Sequence, residues 1–115
     1  KISDSTPTSS PDFLDEIISY INQNLTAELS TEMLAKHFSL AQSYMCNVFR
    51  NRTGTTIKRY IVAQRITFAK SLLASGYSTV DACEMSGFHD YSNFYRSFTK
   101  TVGISPGKYA SLSKK

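Results

Sequence analysis

One pattern of residues occurs twice in the chain, as STEMLAKHFSLAQSYMCNVFRNRTGTTIKRY at Ser30–Tyr60 and as STVDACEMSGFHDYSNFYRSFTKTVGISPGKY at Ser78–Tyr109. The second copy lies 48 residues after the first up to a turn, and 49 residues after it once a single residue has been inserted there. The matching pairs are Ser30 and Ser78, Ala35 and Cys83, Leu40 and Phe88, Ser43 and Ser92, Met45 and Phe94, Phe49 and Phe98, Gly54 and Gly103, and Tyr60 and Tyr109. Chance does not readily keep a phenylalanine, a glycine and a tyrosine in register over this length. The chain therefore contains a duplicated unit.

Each copy predicts a short helix, a tight turn and a second helix. Ser30 and Ser78 suit the start of the first helix, because a serine side chain accepts hydrogen bonds from the N–H groups of the first turn. Gly54 and Gly103 suit the end of the second helix. The inserted residue falls in the turn, where loops tolerate changes in length. This order indicates a helix-turn-helix, and a plain helical bundle built by duplication is the alternative.

The sequence outside the two copies also predicts helices. Apolar residues recur at steps of three and four from Asp12 to Leu25, which is the period of one helix face. A longer helix begins after Thr55 or Thr56 and ends at Gly76, and a last short helix follows the Ser-Pro pair near the end of the chain. No segment keeps the two-residue alternation of a strand. We therefore predict an all-α fold of seven helices.

These elements divide the chain into a leader, two units and a connection. Residues 1–11 are rich in serine, threonine and proline, so we expect a flexible interdomain linker there. The predicted domain covers residues 12–115, with a first helix-turn-helix unit at 12–54, a linker helix at 55–75 and a second unit at 76–112.

The predicted linker helix has a length that can be compared with double-stranded DNA. About 20 residues of helix span about 30 Å. Successive major-groove faces on one side of B-DNA lie about 34 Å apart. One rigid helix is thus long enough to hold two reading helices in adjacent major-groove segments, and an imperfect fit would bend the DNA or disengage one unit.

Charge is unevenly distributed along the chain. The net charge of +4 is the sum of −5 on residues 1–35 and +9 on residues 36–115, and residues 36–75 contain seven basic residues and no acidic one. This asymmetry favours a face that binds phosphates, with a solvated helix surface as the alternative. No apolar run is long enough for a membrane span or a secretory signal. Two cysteines make no disulfide framework, and no cluster has the spacing of a metal site.

Three stretches resemble the AraC/XylS family of bacterial transcription regulators. They are SYMCNVFRNRTG at Ser43–Gly54, RITFAKSLL at Arg65–Leu73, and GFHDYSNFYRSFTKTVGISPGKY at Gly87–Tyr109, and the likeness extends over Phe13–Leu112. The resemblance implies two helix-turn-helix units on a linker helix, and sequence-specific binding of double-stranded promoter or operator DNA in two adjacent major-groove segments. It also implies a cytoplasmic activator or repressor with a ligand-sensing or dimerisation domain on its N-terminal side, RNA polymerase as a partner, and no cofactor.

The family pattern assigns base contacts on both second helices. In the first unit, Met45 and Phe49 should be buried with Tyr44 and Val48, while in the second unit Phe94 and Phe98 should point inwards and Asn93 should be partly buried. The expected base-facing residues are Gln42, Ser43, Cys46, Asn47, Tyr91, Ser92, Tyr95 and Arg96. Glutamine and asparagine suit adenine, and arginine suits guanine. Relatives often carry arginine where Asn47 stands, and Cys46 fits a tolerated small residue better than a redox sensor.

Expected phosphate contacts come from basic side chains and from helix starts. The residues are Arg50, Arg52, Thr56, Lys58, Arg59, Lys100 and Ser105, of which Thr56 and Ser105 mark helix N-termini that favour anions. Arg65 interrupts the apolar face of the linker helix, which favours a structural hydrogen bond that braces the two units. Tyr60 and Tyr109 recur at one position of both copies, so we expect them to pack.

Two other functional classes fit the sequence less well. A protein-interaction module would use the acidic first helix around Asp12, Asp15 and Glu16, although a solvated helix face explains the same charges. An enzyme would have to use His37 or His89, and neither lies near a nucleophile motif, a phosphate loop or metal-ligand spacing. We therefore expect no catalytic residues, no metal site and no enzymatic activity.

Overall fold

The computed structural model describes residues 12–113. The helices are α1 (Asp12–Gln23), α2 (Thr31–His37), α3 (Gln42–Thr53), α4 (Ile57–Ala74), α5 (Thr79–Met85), α6 (Tyr91–Val102) and α7 (Pro106–Ser113). No strand is found in this part of the chain, so the predicted all-α fold of seven helices is confirmed. The predicted linker at 1–11 and the last two residues of the predicted domain lie outside the described residues.

The predicted helix starts and ends are confirmed in both copies. Four hydroxyl groups accept a hydrogen bond from the N–H group three residues later. These bonds join Met33 to Ser30, Arg59 to Thr56, Asp81 to Ser78 and Lys108 to Ser105, at 3.1, 3.1, 3.0 and 3.2 Å. The choice between two threonines for the start of α4 is thereby settled in favour of Thr56. After α3 and α6, Gly54 and Gly103 adopt left-handed conformations with φ of 81° and 100°.

Two separate hydrophobic clusters hold the helices together. The first cluster lies among α1, α2, α3 and the start of α4, and the second lies among the rest of α4, α5 and α6, with Tyr109 and Ala110 of α7 packed against it. Ile57 and Ile61 belong to the first cluster, whereas Ile66 and Leu73 belong to the second. Within residues 12–113 no buried side chain belongs to both. The fold is therefore two small units that share one helix.

The same aromatic pair closes each unit. The rings of Phe49 and Tyr60 have centroids 5.7 Å apart at 69°, and those of Phe98 and Tyr109 have centroids 5.6 Å apart at 70°. Edge-to-face pairs at such distances are favourable beyond the apolar area they bury. The prediction that both tyrosines pack is confirmed, and the duplication in the sequence is a duplication of structure.

Several apolar residues lie on a different helix face from the predicted one. Tyr44 is 51% exposed and packs on Phe13, with ring centroids 5.9 Å apart, so its predicted burial is wrong. Phe68 and Val80 are exposed as well despite their apolar side chains, while Ile66 of α4 is buried. The reason is that two residues four apart, such as Met45 and Phe49, define the inward direction, and a neighbouring residue is turned by about 100°.

We predict that the two units lose structure separately. Phe98→Ala should lower the free energy of unfolding of the second unit by about 3–5 kcal/mol, because it leaves a cavity in one cluster only. Hydrogen exchange should then show loss of amide protection first in α5, α6 and α7, with α1–α3 retained. Phe49→Ala is the matched variant and should reverse this order. Equal loss of protection in both halves would contradict the division into two cores.

Candidate nucleic-acid interface

The outer face of α3 carries three of the four residues of the first unit that are predicted to face bases. Gln42, Ser43 and Asn47 are exposed, and Arg50 is exposed in the last turn of the same helix. Cys46 differs, because it is half-buried and packs against the first hydrophobic cluster. The face that α3 offers to a partner is therefore polar and small, with the cysteine at its inner margin.

The outer face of α6 is larger and partly aromatic. Tyr91, Ser92, Tyr95 and Arg96 are all exposed, as predicted for the second unit. The two tyrosine rings lie with centroids 6.5 Å apart, and Tyr91 also packs on the buried Phe94 at 5.8 Å. The tyrosines therefore form one aromatic surface beside the guanidinium group.

The expected burial of Asn93 is wrong. Asn93 is exposed at the start of α6, where it faces a cleft beside Lys58 of the linker helix. It corresponds to Tyr44 in the first copy, and both residues are exposed. The expectation for Asn93 followed from the expectation for Tyr44. The buried Phe94 and Phe98 define the inward direction of α6, and that direction places Asn93 on the outside, as Met45 and Phe49 do for Tyr44.

Hydrogen bonds already fix the N-terminal ends of α3 and α6. Nε2 of Gln42 donates to the hydroxyl oxygen of Thr31 at 2.7 Å, which ties the start of α3 to the start of α2. The carboxylate of Asp90 accepts from the N–H of Ser92 at 3.1 Å and caps α6. The outer faces of the two helices are thus held in place from their first turns.

Three of the predicted phosphate-binding residues lie together. Lys58 and Arg59 of α4 and Lys100 of α6 line one groove of about 590 Å³, together with the hydroxyl-bearing Ser97 and Thr101. We call this groove the basic groove. It combines cations from the linker helix and from the second unit, and no acidic residue lines it.

The remaining predicted phosphate contacts do not line the basic groove. Arg50 and Arg52 lie in the last turn of α3, and Arg52 takes part in an interaction within the protein. The hydroxyl groups of Thr56 and Ser105 accept the capping bonds of α4 and α7, so any anion there would meet backbone N–H groups first.

Arg65 makes the structural hydrogen bonds that its position predicts. Its Nε donates to the carbonyl oxygen of Leu25 at 2.8 Å, and its Nη2 donates to the carbonyl oxygen of Ala27 at 2.9 Å. Burial lowers the pKa of the guanidinium group from its ordinary value. An arginine remains protonated in proteins all the same, so the bonds keep a charged donor. The predicted structural hydrogen bonds of Arg65 are confirmed, and both join the linker helix to the first unit.

A cleft of about 470 Å³ lies beside Arg65 and its two hydrogen bonds. Its walls come from the start of α2, from α4 and from the turn before α6, and they include Thr31, Lys58, Arg65, His89 and Asn93. His89 is exposed at its rim. One buried residue of each hydrophobic cluster also lines the cleft, Ile61 of the first and Phe88 of the second, so the cleft lies between the two units.

The second cysteine is part of the core. Cys83 is buried, its Sγ lies 3.8 Å from the carbonyl oxygen of Phe88, and burial with the nearby Glu84 and Asp90 raises the pKa of its thiol.

No group of three His, Cys, Asp or Glu side chains in residues 12–113 is arranged to hold a metal ion. Over the same range, no helix has the length and apolar character needed to cross a bilayer.

Comparison with known proteins identifies relatives over most of the chain. The sequence model of a helix-turn-helix domain family matches residues 34–111. The melibiose operon regulatory protein of Escherichia coli K12 is 32% identical over 103 residues, which is 89% of this chain and 34% of that protein. The transcriptional regulatory protein HptR of Staphylococcus aureus is 26% identical over 102 residues, which is 89% of this chain and 40% of HptR. The chain thus spans about a third of the length of these relatives.

Solved structures share the same fold. The C-terminal domain of AraT, a response regulator from Geobacillus stearothermophilus, has a TM-score of 0.85 at 20% identity and covers 91% of this chain and 88% of that one. The DNA-binding domain of AdpA, solved in complex with a target DNA, has a TM-score of 0.83 at 24% identity and covers 89% of this chain and 93% of that one. At these identities the likeness establishes the arrangement of the seven helices.

Proposed function

The chain belongs to the AraC-type family of helix-turn-helix domains, and from this we propose that it binds double-stranded DNA sequence-specifically as part of a bacterial transcription regulator. A family of DNA-binding regulator domains also confirms the expectation that the chain is not an enzyme. The observation that carries the proposal is the duplication itself. Two copies of one unit each expose the outer face of a second helix, α3 or α6, and a single helix joins them.

In this proposal α3 and α6 enter adjacent major-groove segments. The 18 residues of α4 span about 27 Å. That is somewhat less than the spacing of about 34 Å between successive major-groove faces on one side of straight B-DNA. Both helices reach their segments together when the units lie at an angle to α4 or when the DNA bends towards the protein.

The residues proposed to read bases differ in chemistry between the units. In α3 they are Gln42, Ser43, Cys46 and Asn47, whose short polar groups favour contacts with adenine or with several bases. To bind an adenine through both its amide oxygen and its amide nitrogen, Gln42 must either keep its hydrogen bond to Thr31 with one N–H group and use the other for the base, or give that bond up. In α6 they are Tyr91, Ser92, Tyr95 and Arg96. Arg96 is the candidate for a bidentate contact with guanine, and the tyrosine surface suits a thymine methyl group.

The proposed phosphate contacts position the domain on the duplex. Lys58, Arg59 and Lys100 would bind the DNA backbone along the basic groove. Arg50, Arg52 and the helix starts at Thr56 and Ser105 would add contacts beside each reading helix. Contacts of this kind fix register and orientation without reading sequence.

The remaining parts of the proposal concern the whole protein. We propose that residues 1–11 connect the DNA-binding domain at 12–115 to a ligand-sensing or dimerisation domain on its N-terminal side. The domain would then place the regulator, as an activator or repressor, beside a promoter in contact with RNA polymerase in the cytoplasm. The acidic side chains of Asp15 and Glu16 are exposed on α1, which leaves them available to a basic partner surface.

In vitro selection of bound DNA tests the proposal directly. The chain should enrich two short blocks of fixed sequence whose centres lie about one helical turn apart. Enrichment of a single block would contradict reading by both units. Failure to enrich any sequence would contradict sequence-specific DNA binding by this domain.

Arg96→Ala should weaken binding to the selected DNA by about 1–3 kcal/mol and relax the preference at one base-pair position, because a bidentate base contact is lost. Arg59→Ala is the matched variant, which removes the same kind of side chain from the basic groove. It should weaken binding about equally on every sequence. Binding of both variants to a panel of single base-pair changes separates the roles. An unchanged base preference in Arg96→Ala would make that residue a phosphate contact.

The affinity should fall steeply as salt is added. If the domain neutralises about six phosphates, a plot of log K against log[salt] should have a slope of roughly −5. Fluorescence anisotropy between low and moderate salt measures it, and Arg59→Ala should make the slope shallower by about one. An affinity that does not depend on salt would contradict the phosphate contacts, while leaving the fold assignment untouched.

A further inference from the structure

The two hydrophobic clusters in residues 12–113 share no buried residue, and α4 is the helix that belongs to both units. On α4 the buried part of the first hydrophobic cluster ends at Ile61 and that of the second begins at Ile66, while the half-buried Val62 packs against the second cluster. The helical turn between them carries Gln64 and Arg65, and the cleft of about 470 Å³ lies beside it. Because the clusters have no buried residue in common over this range, contacts beside α4 contribute to the angle between the units together with the packing of each unit on that helix.

Arg65 supplies such a contact between the linker helix and the first unit. Both of its acceptors, the carbonyl oxygens of Leu25 and Ala27, lie in the connection between α1 and α2. A guanidinium group presents its N–H groups in a rigid fork, so two bonds fix its position and its direction. The brace therefore holds the first unit at one rotation about α4.

Gly87 brings the second unit to the same point. It lies in the turn between α5 and α6 with φ of 104°, and a β-carbon added to it would collide with the carbonyl oxygen of Leu25. The same β-carbon would come within 2.7 Å of Nε of Arg65. Backbone of the first unit, the arginine of the linker helix and the turn of the second unit thus meet in direct contact.

We propose that Arg65 is a positioning residue that, together with Gly87, fixes the angle between the two units and so selects the spacing between the two DNA blocks. This inference rests on the proposed function, because it gives the brace a consequence for DNA recognition. Adding one base pair between the blocks moves the second block by about 3.4 Å and rotates it by about 35°. A rigid pair of units cannot follow both changes without bending the DNA or releasing one block.

The first experiment measures binding to a series of DNA duplexes in which the two selected blocks are separated by the preferred number of base pairs, or by one or two more or fewer. The unaltered domain should lose about tenfold in affinity for a change of one base pair, because the DNA has to deform or one unit has to disengage. Arg65→Lys keeps the charge and loses the fork, and Arg65→Gln loses both. Each should reduce that penalty to about threefold or less, while binding to a single block stays within about twofold.

Gly87→Ala tests the same contact from the other unit, and Gly76→Ala is its matched control. The two glycines have almost the same φ, 104° and 105°, but a β-carbon at Gly76 meets nothing within 4 Å. Both variants therefore carry the strain of a left-handed alanine, and only Gly87→Ala pushes the units apart. The spacing profile should change in Gly87→Ala and stay that of the unaltered domain in Gly76→Ala. The same change in both would overturn the proposed role of this contact.

A second experiment needs no DNA. Lys36 and Glu84 are exposed, and each lies in the last turn of the first helix of its unit, at equivalent positions of the repeat. Spin labels on Lys36→Cys and Glu84→Cys, in a Cys46→Ser background that keeps the buried Cys83, report the distance between the units. The distribution of label distances should be narrow in the labelled domain with Arg65 and Gly87 unchanged. It should be broader in Arg65→Gln and shifted or broader in Gly87→Ala, and it should stay unchanged in Gly76→Ala.

The outcomes separate this inference from the proposed function. Unchanged spacing profiles and unchanged label distances in folded Arg65 and Gly87 variants would overturn the positioning role, while selection of two DNA blocks would stand. If the label distances broaden in the Arg65→Gln and Gly87→Ala variants while the unaltered domain selects no DNA sequence, the positioning role of Arg65 is supported and the proposed function is contradicted. Circular dichroism and thermal unfolding establish that each variant is folded before either comparison is made.

Discussion

One guanidinium group, that of Arg65, sits where the apolar stripe of the linker helix would otherwise continue. A charged group that leaves water must gain hydrogen bonds, and here two backbone carbonyl oxygens of an irregular connection provide them. The same carbonyl groups gain a partner that no helix of their own supplies. The arginine thus stabilises a non-helical segment of the first unit, and Gly87 of the second unit packs directly on it. The two cores on either side are separate, so this point is where the first unit, the linker helix and the second unit meet.

Duplication has conserved the framework of the unit and changed its outer face. Both copies repeat the serine caps, the left-handed glycine after the second helix and the edge-to-face ring pair. At equivalent outer positions, however, Gln42 is replaced by Tyr91, Cys46 by Tyr95, and Asn47 by Arg96. The first unit presents short polar groups, and the second presents aromatic and cationic ones. In the proposed function, the two units would therefore read different base sequences on one scaffold.

The sequence alone predicted the helices and their ends, because caps, proline positions and terminal glycines act within a few residues. It failed on which side some helices face. Burial was predicted for Tyr44 and partial burial for Asn93, although the inward direction of a short helix depends on only two residues. The sequence predicted a structural hydrogen bond for Arg65 but did not predict its acceptors. Leu25 and Ala27 lie 40 and 38 residues away, in a connection whose apolar residues show no helical or strand period. The role of Gly87 likewise follows only from the approach of backbone distant in sequence.

The linker helix also determines how the two units act as a bivalent ligand. When one unit is bound, the other is presented to neighbouring base pairs at an effective concentration that depends on the length and stiffness of the connection. A flexible linker would offer a modest effective concentration at many distances. The 18-residue helix offers a high one over a narrow range of distances. In the proposed function, two reading surfaces would thereby combine into tight binding at one arrangement of sites, and would gain almost nothing from the same sites placed elsewhere.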